Sequence, residues 1–142
     1  MRRIDVLMWA SAMFGLVAIG AAGAERSVWD GVYTEAQSKR GERTYAEVCA
    51  SCHAPELTGS DVVPALVGDT FLTNWNGLTA GDLFERIRTS MPQEQPGSLT
   101  NQQYADVVAF IFNSNKFPAS QDDLTGDLDR LALIRIESKK PF

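Results

Sequence analysis

The stretch Cys49-Ala50-Ser51-Cys52-His53 decides how this chain of 142 residues folds. Two thiols three positions apart on a turn can reach both vinyl groups on one edge of a porphyrin. The imidazole that directly follows the second thiol is then drawn beneath the iron, where it can coordinate. The pattern is C-x-x-C-H, which predicts covalent attachment of one haem c through Cys49 and Cys52, with His53 on the iron.

Three other kinds of site share parts of this pattern. A cysteine pair in an exported protein can form a disulfide. A C-x-x-C pair can be a thioredoxin-like redox centre, but such pairs lie near βαβ patterns, and the sequence shows none. A zinc site needs four ligands, and Cys49, Cys52 and His53 supply three. Haem attachment is therefore the leading interpretation.

The first 24 residues have the pattern of a secretory signal peptide. Two arginines precede an apolar run over residues 6–19, and Ala22-Gly23-Ala24 supplies small residues before Glu25. We expect cleavage after Ala24 and a periplasmic protein; an uncleaved segment would instead anchor the chain in a membrane. Cleavage removes two arginines and one aspartate, which changes the formal net charge from −5 to −6. We expect no nucleic-acid partner, because phosphates need a basic surface.

The sixth ligand of the iron follows from the inventory of the chain. There is one histidine, and three of the four methionines lie in the signal peptide, which leaves Met91. Met91 follows a predicted helix and precedes the Pro- and Gly-rich segment 92–97, from which a thioether can swing over the haem face. We expect Met91 as the second axial ligand, with a water or a lysine as the alternative. Otherwise Met91 fills a gap in the core.

Periodicity predicts three helices, over about residues 34–48, 81–89 and 101–113. Capping-box pairs mark two of the starts, Thr34-x-x-Gln37 and Thr100-x-x-Gln103. Apolar residues repeat at helical spacing in the second and third helices, which predicts one buried face on each.

The segment between the cysteine motif and the second helix, residues 54–78, predicts a loop and no strand of any length. Residues 54–78 are rich in Pro and Gly, and a loop this long is unusual in a small domain unless a haem gives it a surface to pack on. In the tail, four aspartates are interpreted as a hydrated surface rather than a docking patch. They are Asp122, Asp123, Asp127 and Asp129. The predicted fold class is all-α, with three main helices and loops wrapped around one haem.

The order of elements and motifs over residues 34–118 resembles the class I cytochromes c. The resemblance implies a division of the chain into four parts. They are the signal peptide 1–24, an N-terminal extension 25–33, the cytochrome c domain 34–118 and a tail 119–142 packed on that domain. It also implies that Gly41 and Tyr45 of the first helix pack against an aromatic residue of the last, a role that Phe110 fits.

The resemblance extends to the residues around the haem. Pro64-Ala65-Leu66-Val67-Gly68 resembles the P-x-L-x-G segment of the family. It implies that the Pro64 carbonyl accepts a hydrogen bond from His53 and that Leu66 lines the haem edge. Met91-Pro92 matches the distal methionine and the proline after it. Trp75 is similarly implied as a donor to a haem propionate, with a core aromatic as the alternative.

A narrower resemblance concerns the partners. Residues 96–118 are similar to cytochrome c domains found with quinoprotein alcohol or sugar dehydrogenases. The resemblance implies an electron carrier rather than an enzyme, with a quinoprotein dehydrogenase as donor and a terminal oxidase as acceptor. Two alternatives stay open. One is a haem enzyme or a gas or peroxide sensor with a displaceable distal ligand. The other is an electron-transfer subunit of a dehydrogenase or another respiratory complex.

Overall fold

Helices make up most of the regular structure. The computed structural model describes residues 24–142, so the predicted signal peptide lies outside it apart from Ala24. In chain order the elements are β1 (Arg26–Ser27), a 3-10 turn (Val28–Asp30), α1 (Glu35–Val48), α2 (Ala50–His53), α3 (Gly68–Trp75), α4 (Ala80–Ser90), α5 (Asn101–Ser114), α6 (Leu128–Leu131) and β2 (Ile134–Arg135). The predicted all-α class is confirmed. Over the described range, every helix is too short or too polar to cross a membrane.

The three predicted helices are confirmed as α1, α4 and α5, but the capping box at the start of α1 is only half formed. The Thr34 side chain accepts a hydrogen bond from the Gln37 N–H at 3.0 Å. The Gln37 side chain does not return it. It is fully buried and donates to Asp106 Oδ1 at 3.0 Å and to the Leu124 carbonyl at 2.8 Å. A glutamine predicted to cap a helix therefore ties α1 to α5 and to the tail.

Helices α1 and α5 cross at Gly41. A Cβ at this glycine would lie 1.8 Å from the Asp106 carbonyl oxygen and 3.0 Å from the Cβ of Phe110. One turn further along, the rings of Tyr45 and Phe110 meet with their centroids 5.2 Å apart. The crossing is the one that the resemblance implies, and it joins the helix before the cysteines to the buried run 104–109 of α5.

Helix α3 lies inside the segment predicted to be loop, so that prediction was wrong. Its eight residues span Gly68–Trp75, and Phe71 is fully buried with its ring 6.2 Å from that of Trp75. Eight residues are little more than two turns, which is too few for a helical period to stand out from its surroundings. Helix α3 is stabilised by the packing of Phe71 against the core, and not by a helical pattern in the local sequence.

The tail returns to the beginning of the described chain. Strand β2 pairs in parallel with β1, and Arg26 lies opposite Ile134. Leu131, Ile134 and Ile136 are buried in the core. Both strands lie outside residues 54–78, the segment for which no strand was expected, and each has only two residues and so shows no alternation in the sequence.

Two aspartates of the tail have structural partners instead of facing only water. Asp123 accepts a hydrogen bond from the Thr34 hydroxyl and pairs with Arg40, which also reaches Asp106 at 3.0 Å. The Thr34 hydrogen bond and the Arg40 guanidinium lower the pKa of Asp123 below its ordinary value. Asp127 caps α6 by accepting from the Arg130 N–H at 3.1 Å. The contacts of Asp123 fasten the tail to the start of α1.

Candidate haem site

The C-x-x-C-H stretch forms one helical turn that continues from α1. The Cys49 N–H donates to the Tyr45 carbonyl at 2.9 Å, and the Cys52 and His53 N–H groups both donate to the Cys49 carbonyl, at 3.1 and 3.0 Å. Both cysteines are free thiols; Cys49 is half-buried against the core and Cys52 is exposed. The turn thus presents one thiol at the core and one at the surface, followed by the imidazole.

The chemistry of the thiols separates this turn from the other sites that share its pattern. Burial, and then the charge of Cys52, raise the pKa of Cys49 to about 11. Burial thus favours the neutral thiol at Cys49 and disfavours it as the thiolate nucleophile of a thioredoxin-like pair. Within residues 24–142, no group of three or more His, Cys, Asp or Glu side chains is arranged to bind a metal ion. The described residues therefore do not form a zinc site. Two thiols and one imidazole fit a covalently tethered haem.

His53 is buried and its ring is fixed by a backbone carbonyl. Its Nδ1 lies 3.0 Å from the Pro64 carbonyl oxygen. Because a carbonyl only accepts, Nδ1 carries the proton in this hydrogen bond, and Nε2 keeps its lone pair. The same pattern orients metal-ligating imidazoles and makes them more basic. The ring is therefore in the tautomer that an axial ligand requires.

The loop after His53 folds back to bring Pro64 to the ring. The Gly59 N–H donates to the His53 carbonyl at 2.9 Å, and the Leu66 N–H donates to the Leu57 carbonyl at 2.8 Å. Gly59 has a φ of +65°, and a Cβ there would lie 2.2 Å from the Val63 carbonyl oxygen. Only glycine fits this turn. Leu66 is half-buried and packs against the core.

Asn115, just past the end of α5, holds the same loop from the other side. Its Nδ2 donates to the Leu66 carbonyl at 2.9 Å, and its Oδ1 accepts from the Gly68 N–H at 3.0 Å. These bonds fix both ends of the short stretch that follows Pro64. Sequence reasoning missed this role of Asn115, although an asparagine directly after a predicted helix is a signal for side-chain bonds to backbone groups.

Met91 ends α4 and begins the segment that faces the cysteine turn. Its N–H donates to the Ile87 carbonyl at 2.8 Å, and its own carbonyl accepts from the Tyr104 hydroxyl at 2.9 Å. A cleft of about 270 Å³ separates the segment after Met91 from the cysteine turn. It is lined by Glu47, Val48, Ser51, Pro92, Glu94, Gln95 and Ser98. The cleft is thus lined by sequence neighbours of the cysteine turn and of Met91, and not by Cys49, Cys52, His53 or Met91 themselves.

Trp75 and Trp29 differ in the hydrogen bonding of the indole N–H. The Trp29 Nε1 donates to the Glu137 carbonyl at 2.9 Å. Trp75 is half-buried at the end of α3, and we find no protein acceptor for its indole N–H among the described residues. Among the described residues no side-chain nitrogen is buried without a partner, so this indole N–H reaches the surface and the propionate contact stays a prediction.

Comparison with known proteins gives one family and one solved structure. The family model described as cytochrome c oxidase, cbb3-type, subunit III matches residues 36–111, which is more than half of the chain. The crystal structure of the sulfane dehydrogenase SoxCD from Paracoccus pantotrophus is similar at 22% identity, with a TM-score of 0.48. That match covers 73% of this chain and 61% of the SoxCD chain. No curated protein matches the sequence.

Proposed function

Because the chain belongs to the class I c-type cytochromes, which transfer electrons through a haem, we propose that it is a periplasmic carrier of single electrons. One haem is bound through Cys49 and Cys52. His53 and Met91 are its axial ligands. The observation that carries this proposal is the hydrogen bond between His53 Nδ1 and the Pro64 carbonyl, which leaves Nε2 available for iron.

Each residue has a separate task in this proposal. When bound, the haem supplies a one-electron couple between ferrous and ferric iron. The two thiols tether it, so that it stays bound in either oxidation state. Met91 would hold the iron together with His53 and would leave no open site for a substrate, and ligation by methionine and histidine would raise the reduction potential. Trp75 offers a donor to a propionate from the end of α3.

The cellular setting of the proposal rests on the sequence. The signal pattern of residues 1–24 supports export to the periplasm. The similarity of residues 96–118 to cytochrome c domains of quinoprotein dehydrogenases supports such an enzyme as donor and a terminal oxidase as acceptor. We expect the haem protein, isolated from a periplasmic fraction, to co-purify with a quinoprotein dehydrogenase. Its recovery only from the cytoplasmic fraction would contradict both location and partner.

Replacement of Met91 by alanine tests the carrier against an enzyme or a gas sensor. In the reduced wild-type protein we expect slow binding of carbon monoxide, because the thioether occupies the sixth position. Met91→Ala should bind carbon monoxide rapidly, and its reduction potential should fall by on the order of 0.1 V. The measurements are stopped-flow mixing and a redox titration.

The matched control is Gln93→Ala, which changes an exposed side chain of the same segment and keeps the thioether. It should behave as the wild type in both measurements. A wild-type protein that binds carbon monoxide as fast as Met91→Ala would contradict the carrier and favour an open haem site.

A further inference from the structure

One hydroxyl group joins both ends of the segment 92–98, the loop that follows Met91. Tyr104, the fourth residue of α5, donates from its hydroxyl to the Met91 carbonyl at 2.9 Å. The same oxygen accepts from the Leu99 N–H at 3.4 Å. Between these two points, residues 93–98 are all exposed. The path of the loop over the cleft is therefore fixed where Tyr104 contacts its ends.

The ring that carries this hydroxyl has little freedom to move. Tyr104 is 1% exposed, and its ring meets Phe84 of α4 edge to face, with centroids 6.2 Å apart. Its N–H is bonded to the Thr100 carbonyl at 3.0 Å in the first turn of α5. Because Met91 directly follows α4, Tyr104 connects the end of α4 to the first turn of α5.

From these contacts we propose that Tyr104 is a positioning residue that keeps the Met91 thioether over the sixth coordination position. The inference rests on the proposed ligation by Met91. A thioether is a weak, neutral metal ligand, so it stays in place only while the backbone that carries it is held. The loop can be closed, with the thioether over the iron, or open, with the thioether displaced. Loss of one neutral hydrogen bond to the loop shifts this equilibrium about five-fold toward the open form.

Imidazole binding to the oxidised haem protein tests the proposal, because imidazole competes with the thioether for the sixth position. We expect Tyr104→Phe to bind imidazole at least about five-fold more tightly than the wild type, because the hydrogen bonds to the Met91 carbonyl and from the Leu99 N–H are both lost. The weak long-wavelength sulfur-to-iron band of the free protein should lose intensity in this variant. Both readouts are equilibrium spectra.

Tyr33→Phe is the matched control. Tyr33 is also 1% exposed, and its hydroxyl donates to a backbone carbonyl, that of Phe117, at 2.6 Å. It contacts neither end of the loop. Tyr33→Phe should lower the resistance to urea as Tyr104→Phe does, but leave imidazole affinity and the sulfur-to-iron band unchanged. Equal imidazole affinities for Tyr104→Phe, Tyr33→Phe and the wild type would overturn the proposal and leave Tyr104 a packing role.

Amide hydrogen exchange of the wild-type holoprotein gives a second measurement that needs no variant. The Leu99 amide should be protected, and saturation with imidazole should remove that protection as the loop leaves Tyr104. Protection that persists with imidazole bound would also overturn the proposal. A wild-type protein with no sulfur-to-iron band, and with the imidazole affinity of Met91→Ala, would instead show that Met91 is not a ligand, which overturns the proposed ligation together with the role of Tyr104.

Discussion

Replacement of Gly41 by alanine should destabilise the protein by about 3 kcal/mol, at the upper end of the range for overpacked cores. The added methyl group would lie 1.8 Å from the Asp106 carbonyl oxygen and 2.4 Å from its carbon, both of which are backbone atoms of α5. Neither helix can accommodate it without a shift of the whole crossing. The clash has to exceed the gain of about 1 kcal/mol that alanine brings to a helix interior. Urea unfolding of the holoprotein measures the net effect.

Gly77→Ala separates the steric effect from a conformational one. Gly77 has a φ of +83°, and no atom lies within 4 Å of the position of its Cβ. This variant should lose only the 1–2 kcal/mol or so that a left-handed backbone imposes on an alanine. If Gly41→Ala were as stable as the wild type, or more so, the two helices would have room between them, and the close crossing would be refuted.

Replacement of both Cys49 and Cys52 by alanine should abolish covalent haem attachment. Each thiol forms one thioether in the proposed site, so the double variant should give no haem stain on a denaturing gel and lose its haem to an organic extraction. Ser51→Ala is the control, since this exposed side chain lies between the cysteines and its Oγ is 3.9 Å from Cys52 Sγ. It should stain as the wild type does. A persistent stain in the double variant would place the attachment elsewhere.

The single variants should differ because the two cysteines have different surroundings. Cys49 is half-buried against the core, whereas Cys52 is exposed. Cys49→Ala should therefore lower the free energy of unfolding by about 1 kcal/mol more than Cys52→Ala, through lost apolar contact. Both should retain one thioether and a haem stain.

Local signals in the sequence predicted the elements that have local causes. Helix α5 has a capping box at Thr100 and a regular apolar face, and it begins where that pattern begins. Helix α3 was missed because its burial depends mainly on Phe71, in a stretch too short for a period. The haem ligands were predicted from residue types, but their positions depend on the loops around them.

Contacts between distant residues that the family resemblance did not imply were beyond the reach of the sequence. Gln37 looked like a capping residue, yet its buried amide bonds to residues 69 and 87 positions away. Tyr104 fitted the apolar face of α5, and its hydroxyl was the signal that a polar partner had to exist. The pattern showed that such a partner was needed, and only the folded chain showed that it is the carbonyl of Met91.

The pairing of β1 with β2 joins segments that are far apart in the sequence, which bears on the order in which the chain folds. The Trp29 indole meets its acceptor across 108 residues of chain, and Arg26 and Ser27 lie opposite Ile134 and Arg135. A chain that emerges from its N-terminus must hold the segment 26–29 without these partners until residues 134–137 have emerged. In sequence order, every part of the proposed haem site lies after β1 and before β2: the cysteine turn, Pro64 and the Met91 loop. Haem attachment can therefore precede the pairing of the two strands. The pairing of β1 with β2 can then form on a domain that already holds its haem.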